Sequence, residues 1–268
     1  VFLDIIPRVL IGGTLAGVAA GRASRRGQLT LGGEYAAFAV GTLAVIGGIG
    51  WGASLAVFFY SSIALSRWRA GDKRRRSRSV LPDVQIRNGW QVLANGAAFA
   101  LAAPVWIVTG WWQAGLFGFG ALASATADTW ATEVGMALKA APRSLVTGRP
   151  VPPGTSGGVS AFGTAAAVVG AFVIALCAVV SLDVPFDLPR LEAVILGGLA
   201  GAMADSLIGA TVQSRRWCDE CREWTERRVH TCGYRSHHRA GWAWMTNDVV
   251  NALATVVGGL TAVAVGHL

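Results

Sequence analysis

Eight blocks of mostly apolar residues, rich in Gly and Ala, follow one another along the chain, at 3–21, 34–49, 51–66, 89–109, 112–137, 158–181, 191–212 and 243–265. Several approach the roughly 20 residues that a helix needs to cross a bilayer. In lipid every backbone polar group must be satisfied within the protein, which selects helices for blocks of this kind. The pattern predicts an all-α, polytopic membrane protein of about eight transmembrane helices, with residues 1–268 forming one integral-membrane domain. The blocks 34–49 and 51–66 read either as one tilted helix broken at Gly47, Gly48, Gly50 and Gly52 or as two short helices joined by a tight turn. No cleavable signal peptide is read at the start of the sequence.

Composition agrees with this picture: 53% of the 268 residues are apolar and 14% are charged, against about 25% charged in soluble domains. The net charge of +8 is unevenly spread. With eight spans, 21 of the 23 Lys and Arg residues fall in the alternate loops 22–33, 67–88, 138–157 and 213–242. Asp183, Asp187 and Arg190 occupy the other side. By the positive-inside rule the four basic loops are cytoplasmic and both termini external. The asymmetry also favours two short helices over 34–66, because seven spans would put basic loops on both faces. The positive charge thus has a topogenic explanation and implies no nucleic-acid partner. The basic run 73–78 reads as a topogenic or anionic-lipid patch.

Four carboxylates interrupt or border the apolar blocks, Asp128, Glu133, Asp205 and Asp248. Such residues in a membrane segment are functional candidates by default. They sit in ADTWATEVG (127–135), ADSLIGATVQ (204–213) and TNDVVN (246–251), beside Thr129, Ser206, Gln213, Asn247 and Asn251. Carboxylates with neighbouring hydroxyl and amide oxygens suit a hard divalent cation. Mg²⁺ in particular takes one or two carboxylates and fills its shell with water and substrate phosphates. Asp128, Asp205 and Asp248 are the expected Mg²⁺ ligands, against the simpler reading that each caps a helix. Glu133, five residues past Asp128, is off its helical face unless the helix breaks near Trp130; it reads as a base or a supporting acid at the site, against a surface acid paired with Lys139 or Arg143. The segments GALASATADT (120–129) and GGLAGAMADS (197–206) match at six of ten positions, which hints at a parallel internal repeat.

Residues 142–164, PRSLVTGRPVPPGTSGGVSAFGT, combine a helix-halting Pro152-Pro153 with a hydroxyl-rich glycine turn, Gly154, Thr155, Ser156, Gly157 and Gly158. Glycines let backbone N–H groups approach an anion closely, and the helix that follows adds its dipole. Arg143 and Arg149 offer fork-shaped phosphate donors, as do Arg87 and Arg215. The turn is not a Walker A loop, because no Gly-Lys-Ser/Thr follows. Asn88, Gln91 and Asn95 share one helical stripe at the start of the fourth block, fit for a polar ligand or for helix packing.

The sequence CDECREWTERRVHTCG (218–233) spaces Cys218, Cys221, His230 and Cys232 as a Cys₃His zinc site, with His237 and His238 as alternate ligands. Four protein ligands make a closed, structural site. The loop 213–242 between the last two spans is therefore expected to be a zinc-binding cytoplasmic insert.

These motifs together resemble the integral-membrane family typified by transmembrane protein 19 and the plant phytyl-phosphate kinase. The matching residues are Arg87-Asn88 with QVLANG (91–96), ADTWATEVG, PR…TGR…PPGTSGGVS, GxxxDSLIGATVQ (201–213), the CxxC…HxC loop and NDxVN, in order from 87 to 251. The resemblance implies a nucleotide-dependent kinase that converts a prenyl phosphate to its diphosphate. More loosely, an Asp followed by Gly-Arg and Gly-Thr-Ser-Gly looks like the CTP-using polyprenol and phytol kinases and cytidylyltransferases. It implies Asp128 as a Mg²⁺ ligand and Thr155, Ser156, Gly157 and Gly158 as phosphate holders. The expected partners are a nucleoside triphosphate from the cytoplasm and an isoprenoid alcohol or phosphate from the bilayer. A transporter or lipid flippase without nucleotide chemistry is the rival from another class.

Overall fold

The computed structural model describes residues 2–77, 80, 86–138, 141–182 and 188–267. Arg78, Lys139, Asp183 and Asp187, which entered the charge count, lie outside the described residues. In chain order the helices are α1 (Phe2–Arg25), α2 (Leu31–Ile46), α3 (Ile49–Arg67), α4 (Ala70–Ser77), α5 (Gly89–Thr109), α6 (Trp112–Ala137), α7 (Ala161–Ser181), α8 (Leu188–Thr211) and α9 (Asn247–Gly266). The short strands β1 (Arg143–Ser144) and β2 (Gly158–Val159) pair antiparallel between α6 and α7. A three-stranded sheet, in the order β4 (Glu223–Thr225), β3 (Arg215–Cys218), β5 (His237–Ala240), lies between α8 and α9.

Each of the eight apolar blocks falls on one long helix. Polar residues set the boundaries. Thr30 Oγ accepts from Gly33 N (3.1 Å) to start α2, Ser160 Oγ from Gly163 N (3.2 Å) to start α7, and Thr246 caps α9. Such caps satisfy N–H groups that the helix itself leaves open. The α2–α3 break is a tight turn at Gly48, whose φ of 126° excludes most side chains, so 34–66 forms two helices.

Among the described residues, six helices are long and apolar enough to cross a membrane: α1, α3, α5, α7, α8 and α9. Their outer faces leave large apolar side chains uncovered, including Leu10, Leu101, Val180 and Leu260, as lipid contact requires. The two remaining long helices differ for separate reasons. Helix α2 has only 16 residues. Helix α6 has 26, but carries Ser124, Thr126, Asp128 and Glu133. It tolerates them because α5, α7, α8 and α9 all pack on it, so its surroundings are protein rather than lipid.

The core is centred on α6. Trp51 stacks on Phe99 with ring centroids 4.8 Å apart, and Phe119 closes the trio at 4.8 and 5.3 Å. Beyond it, small residues let backbones approach closely. A Cβ on Gly120 would lie 2.7 Å from Gly258 O, and one on Gly197 would lie 2.5 Å from the same atom. Gly201 meets Ser124, whose hydroxyl donates to Ala254 O (3.1 Å). The equivalent positions of the two similar segments therefore face each other and meet the same part of α9. Helices α6 and α8 run parallel and in register, with α9 antiparallel between them.

All four basic loops gather at one end of the bundle. Arg87 N donates to Gln28 O (3.0 Å), and Thr30 N to Arg87 O (3.1 Å). Glu226 N donates to Val80 O (2.9 Å), and Ser156 Oγ to Glu226 Oε1 (2.7 Å). The basic run is more than a surface patch, because α4 packs on the end of α6. Arg69 and Arg76 donate to Ala137 O (3.3 Å) and Met136 O (3.1 Å), capping carbonyls that the helix leaves open.

Candidate functional site

A partly open cavity of about 800 Å³ is lined by α1, α2, α3, α5, α6, α7, α8, the 142–160 segment and the start of α9. Its polar part lies at the basic end. There it is lined by Arg87, Asn88, Gln91 and Asn95; by Asp128, Thr129 and Glu133; by Gly154, Thr155, Ser156, Gly157 and Gly158; and by Asp205, Ser206, Asn247 and Asn251. From there it runs toward the α2–α3 turn between Leu15, Ala19, Val45, Ile49, Ala53 and Ala56. The 16-residue α2 separates the two ends, a distance of roughly 24 Å at 1.5 Å per residue. The cavity is therefore a long passage, polar at one end and apolar along the rest.

Asp128 and Asp205 project into the polar part from the parallel helices α6 and α8. The Oδ2 atom of Asp205 is sealed from solvent and accepts no hydrogen bond among the described residues. An unpaired buried carboxylate oxygen is costly, so this atom fits a cation ligand. Asp248 does not line the cavity. It sits half-buried in the first turn of α9, where the helix dipole stabilises an acid. Of the three aspartates expected at Mg²⁺, the passage thus receives two.

Glu133 also lines the cavity, but its carboxylate is engaged. Ser66 Oγ donates to Oε1 (2.6 Å), and Lys73 Nζ forms a buried ion pair with Oε2. Helix α6 is continuous through Trp130, so the break that would have brought Glu133 beside Asp128 does not occur. Trp130 instead donates its indole N–H to Ser61 Oγ (3.1 Å).

The glycine turn is held as a hairpin by the β1–β2 pair. Gly154 and Gly157 adopt φ of 87° and 75°. The N–H groups of Gly154, Ser156 and Gly157 make no hydrogen bond among the described residues. A Cβ on Gly157 would collide with Ala210 of α8, which fixes the turn against that helix. The arginines behave differently from expectation. Arg143 donates to Gly148 O (2.9 Å) within an exposed hairpin, Arg149 is exposed, and Arg215 lies over the Trp224 ring at 4.8 Å. None of these three lines the passage; Arg87 does. Burial draws the Arg87 guanidinium below its ordinary value, and the charge of Glu133 opposes that. Asn88 and Gln91 form a reciprocal cap at the start of α5, both bonds 3.0 Å, and Asn95 Nδ2 donates to Gln91 O (2.9 Å). The polar stripe thus builds the helix end and also faces the cavity.

Two features of the lining escape a reading of sequence alone. One is the apolar wall from α1–α3. The other is Glu226, which reaches the cavity from the segment after β4. Gln213, outside the lining, donates to Ser156 Oγ (2.9 Å) and approaches Glu226 Oε1 (3.4 Å). Burial pushes the Glu226 carboxyl above its ordinary range, while the Ser156 hydrogen bond and the charge of Arg215 act the other way.

The ligand atoms of Cys218, Cys221, His230 and Cys232 all lie within 4.8 Å of one another. Cys218 and Cys232 Sγ are 3.6 Å apart, and His230 turns Nδ1 to Cys232 Sγ at 3.3 Å. The far nitrogen, Nε2, is buried without a hydrogen-bond partner among the described residues, and the Glu223 carboxylate lies 3.7 Å away. Of the alternate ligands, His237 faces Asp219 at 3.3 Å instead, and neither His237 nor His238 belongs to the cluster. The backbone N–H of Tyr234, then His230, draw the Cys232 thiol down to about 6. Hydrogen bonding to Cys232 pushes Cys221 up to about 12. The geometry fits a tetrahedral metal with Zn–S bonds of about 2.3 Å.

A family model described as integral membrane protein DUF92 matches residues 14–259. Protein PGR of Arabidopsis thaliana is 32% identical over 237 residues, covering 79% of this chain and 81% of that protein. Uncharacterized membrane protein MJ0933 of Methanocaldococcus jannaschii is 30% identical over 209 residues, covering 78% and 73%. Uncharacterized membrane protein sll0875 of Synechocystis is 26% identical over 232 residues, covering 81% and 74%. No solved structure matches the chain. A model spanning most of the sequence and relatives matched over most of their own length make one conclusion plain: the chain belongs to the DUF92 family of integral membrane proteins.

Proposed function

We propose that this protein is a membrane-embedded, Mg²⁺-dependent kinase that transfers a phosphoryl group from a nucleoside triphosphate to an isoprenoid phosphate or alcohol. The observation that carries the reading is the single passage with carboxylates, Arg87 and an unspent glycine turn at one end and an apolar wall along the rest. That shape matches an amphiphile whose head must meet a soluble triphosphate while its tail stays out of water.

Phosphoryl transfer asks a protein for positioning and charge more than for covalent chemistry. Asp128 and Asp205 would hold Mg²⁺, which when bound offsets charge on the phosphate oxygens. The N–H groups of Gly154, Ser156 and Gly157 hold phosphate oxygens by hydrogen bonds. Arg87 pairs with the phosphate of the acceptor, a role for which its planar fork is suited. Asn247 and Asn251 orient polar groups from the opposite wall. In the reaction an oxygen of the acceptor phosphate bonds to the terminal phosphorus as the bond to the bridging oxygen breaks, leaving a nucleoside diphosphate; an alcohol acceptor also releases its hydroxyl proton, to a phosphate oxygen or to water. The apolar walls of α1–α3 exclude water from this exchange.

The same proposal includes eight crossings, with α2 and α6 completing the six apolar helices. The convergence of the four basic loops at one end supports it, and the positive-inside rule makes that end cytoplasmic and both termini external. The Cys₃His cluster holds a structural Zn²⁺.

The test is Asp128→Asn and Asp205→Asn in purified protein, assayed for phosphate gain on isoprenoid acceptors. Each should lower turnover by about a hundredfold or more, the scale for removing a group that stabilises developing charge, without lowering the melting temperature. Wild-type rates in either variant would refute the assignment.

A further inference from the structure

We infer that Glu226 is the third carboxylate ligand of the divalent-cation site, taking the place that the sequence offers to Asp248, and that the Cys/His insert thereby completes the site. This deepens the phosphoryl-transfer reading and rests on it for the choice of cation.

Three observations carry the inference. First, Glu226 lines the same cavity as Asp128 and Asp205, and Ser156, which donates to Glu226, packs against Gly209, one turn beyond Asp205 on α8. Second, Asp205 Oδ2 is buried without a hydrogen-bond donor among the described residues. Three acids lining one cavity cannot all stay ionised there without a cation between them, since like charges in a dry site are expensive. Third, the Glu226 carboxylate is already oriented. Its Oε1 accepts from Ser156 Oγ (2.7 Å) and lies 3.4 Å from Gln213 Nε2, while no hydrogen bond engages Oε2 among the described residues. A carboxylate held by one oxygen, with the other left for a ligand, is how outer partners orient a metal-binding acid. The cationic neighbour, Arg215, is turned onto the Trp224 ring, so it does not neutralise Oε2 by a direct ion pair.

The placement joins two parts of the chain that otherwise look independent. Glu226 directly follows β4, whose partner strand β3 ends at Cys218 of the Cys₃His cluster. Its other contact, Ser156, belongs to the glycine turn. One residue thus links the zinc-binding insert, the phosphate turn and the cation.

The experiment is Mn²⁺ binding to the full-length protein in detergent, read by electron paramagnetic resonance without nucleotide or lipid, for wild type and Glu226→Gln. Glutamine keeps an oxygen for Ser156 and Gln213 and removes only the charge. Wild type should bind Mn²⁺, and Glu226→Gln should bind about tenfold or more weakly with an unchanged melting temperature. Equal binding would overturn the inference. If the variant does not fold, carbodiimide labelling of the wild-type chain, read by mass spectrometry, gives the same answer. Mn²⁺ should shield Glu226 in step with Asp128 and Asp205, and labelling of Glu226 that ignores Mn²⁺ would overturn the claim. Glu226-dependent binding in a protein that forms no phosphorylated lipid would count against the kinase reading alone.

Discussion

Lys73 and Glu133 lie 60 residues apart in sequence and form an ion pair whose side chains are 6% and 12% exposed. The pair sits one turn and a half from Asp128 and ties the basic helix α4 to the central helix α6. Nothing local in the sequence points to it. Lys73 reads as one of a basic run, and Glu133 as either a surface acid or an active-site base. Burial decides the matter, because an unpaired ammonium in that place is far costlier than the pair itself. Glu133→Gln should therefore destabilise the fold by about 3 kcal/mol, measured by thermal unfolding in detergent. A variant that also carries Lys73→Met should recover most of the loss. An unchanged melting temperature for the single variant would show that the pair is solvated and weak. The same limit of sequence reading applies to Asp248, Arg143, Arg149 and Arg215. Their types suit the chemistry, but only the folded chain shows which of them face the passage, and it turns all four away from it. Asp128, Asp205 and the glycine turn do line the passage; an acid well inside an apolar block stands out in sequence, whereas Asp248 opens its helix and equally suits a plain first-turn acid.

At the scale of elements, the length and apolarity of the blocks made the helices readable within a few residues. Thr30, Asn88, Ser160 and Thr246 mark four helix starts by side-chain chemistry that sequence displays directly. Helix α6 was harder to interpret, since its hydropathy is lowered by the residues that matter most to the site. The matching positions of α6 and α8 face each other across small residues, which turns a weak six-in-ten likeness into a parallel pair that aims two aspartates at one space. The β3–β5 sheet, by contrast, has little apolar substance of its own, and the Cys₃His cluster is what would hold it. Elemental analysis of the purified protein should find one zinc per chain. Stripping it should expose the insert to proteolysis while α5–α9 stay helical. A folded protein without zinc and with an intact insert would exclude the structural-metal role.

For the whole molecule, four basic loops converge on the polar end of one passage, and apolar helix faces surround the rest. Charge counting along the sequence anticipated that convergence, because topogenic charge is a property of loops rather than of contacts. The passage itself was not foreseeable, since its apolar wall is made of ordinary Leu, Ala, Val and Ile residues in α1–α3 that differ in no visible way from lipid-facing ones. The orientation is open to a direct check. A cysteine replacing exposed Trp111, in the α5–α6 turn, should react with a membrane-impermeant thiol reagent from the external face, whereas one replacing Gly148 should react from the cytoplasmic face alone. Labelling of both from one face would contradict eight crossings.

The decisive measurement is mass spectrometry of lipids after purified protein is incubated with Mg²⁺, mixed nucleoside triphosphates and a panel of isoprenoid alcohols and monophosphates. The predicted result is an acceptor heavier by one phosphate, formed by wild type and not by Asp128→Asn. A folded wild-type protein that yields no product across the panel, or yields a nucleotidyl-lipid instead, would contradict phosphoryl transfer in this passage.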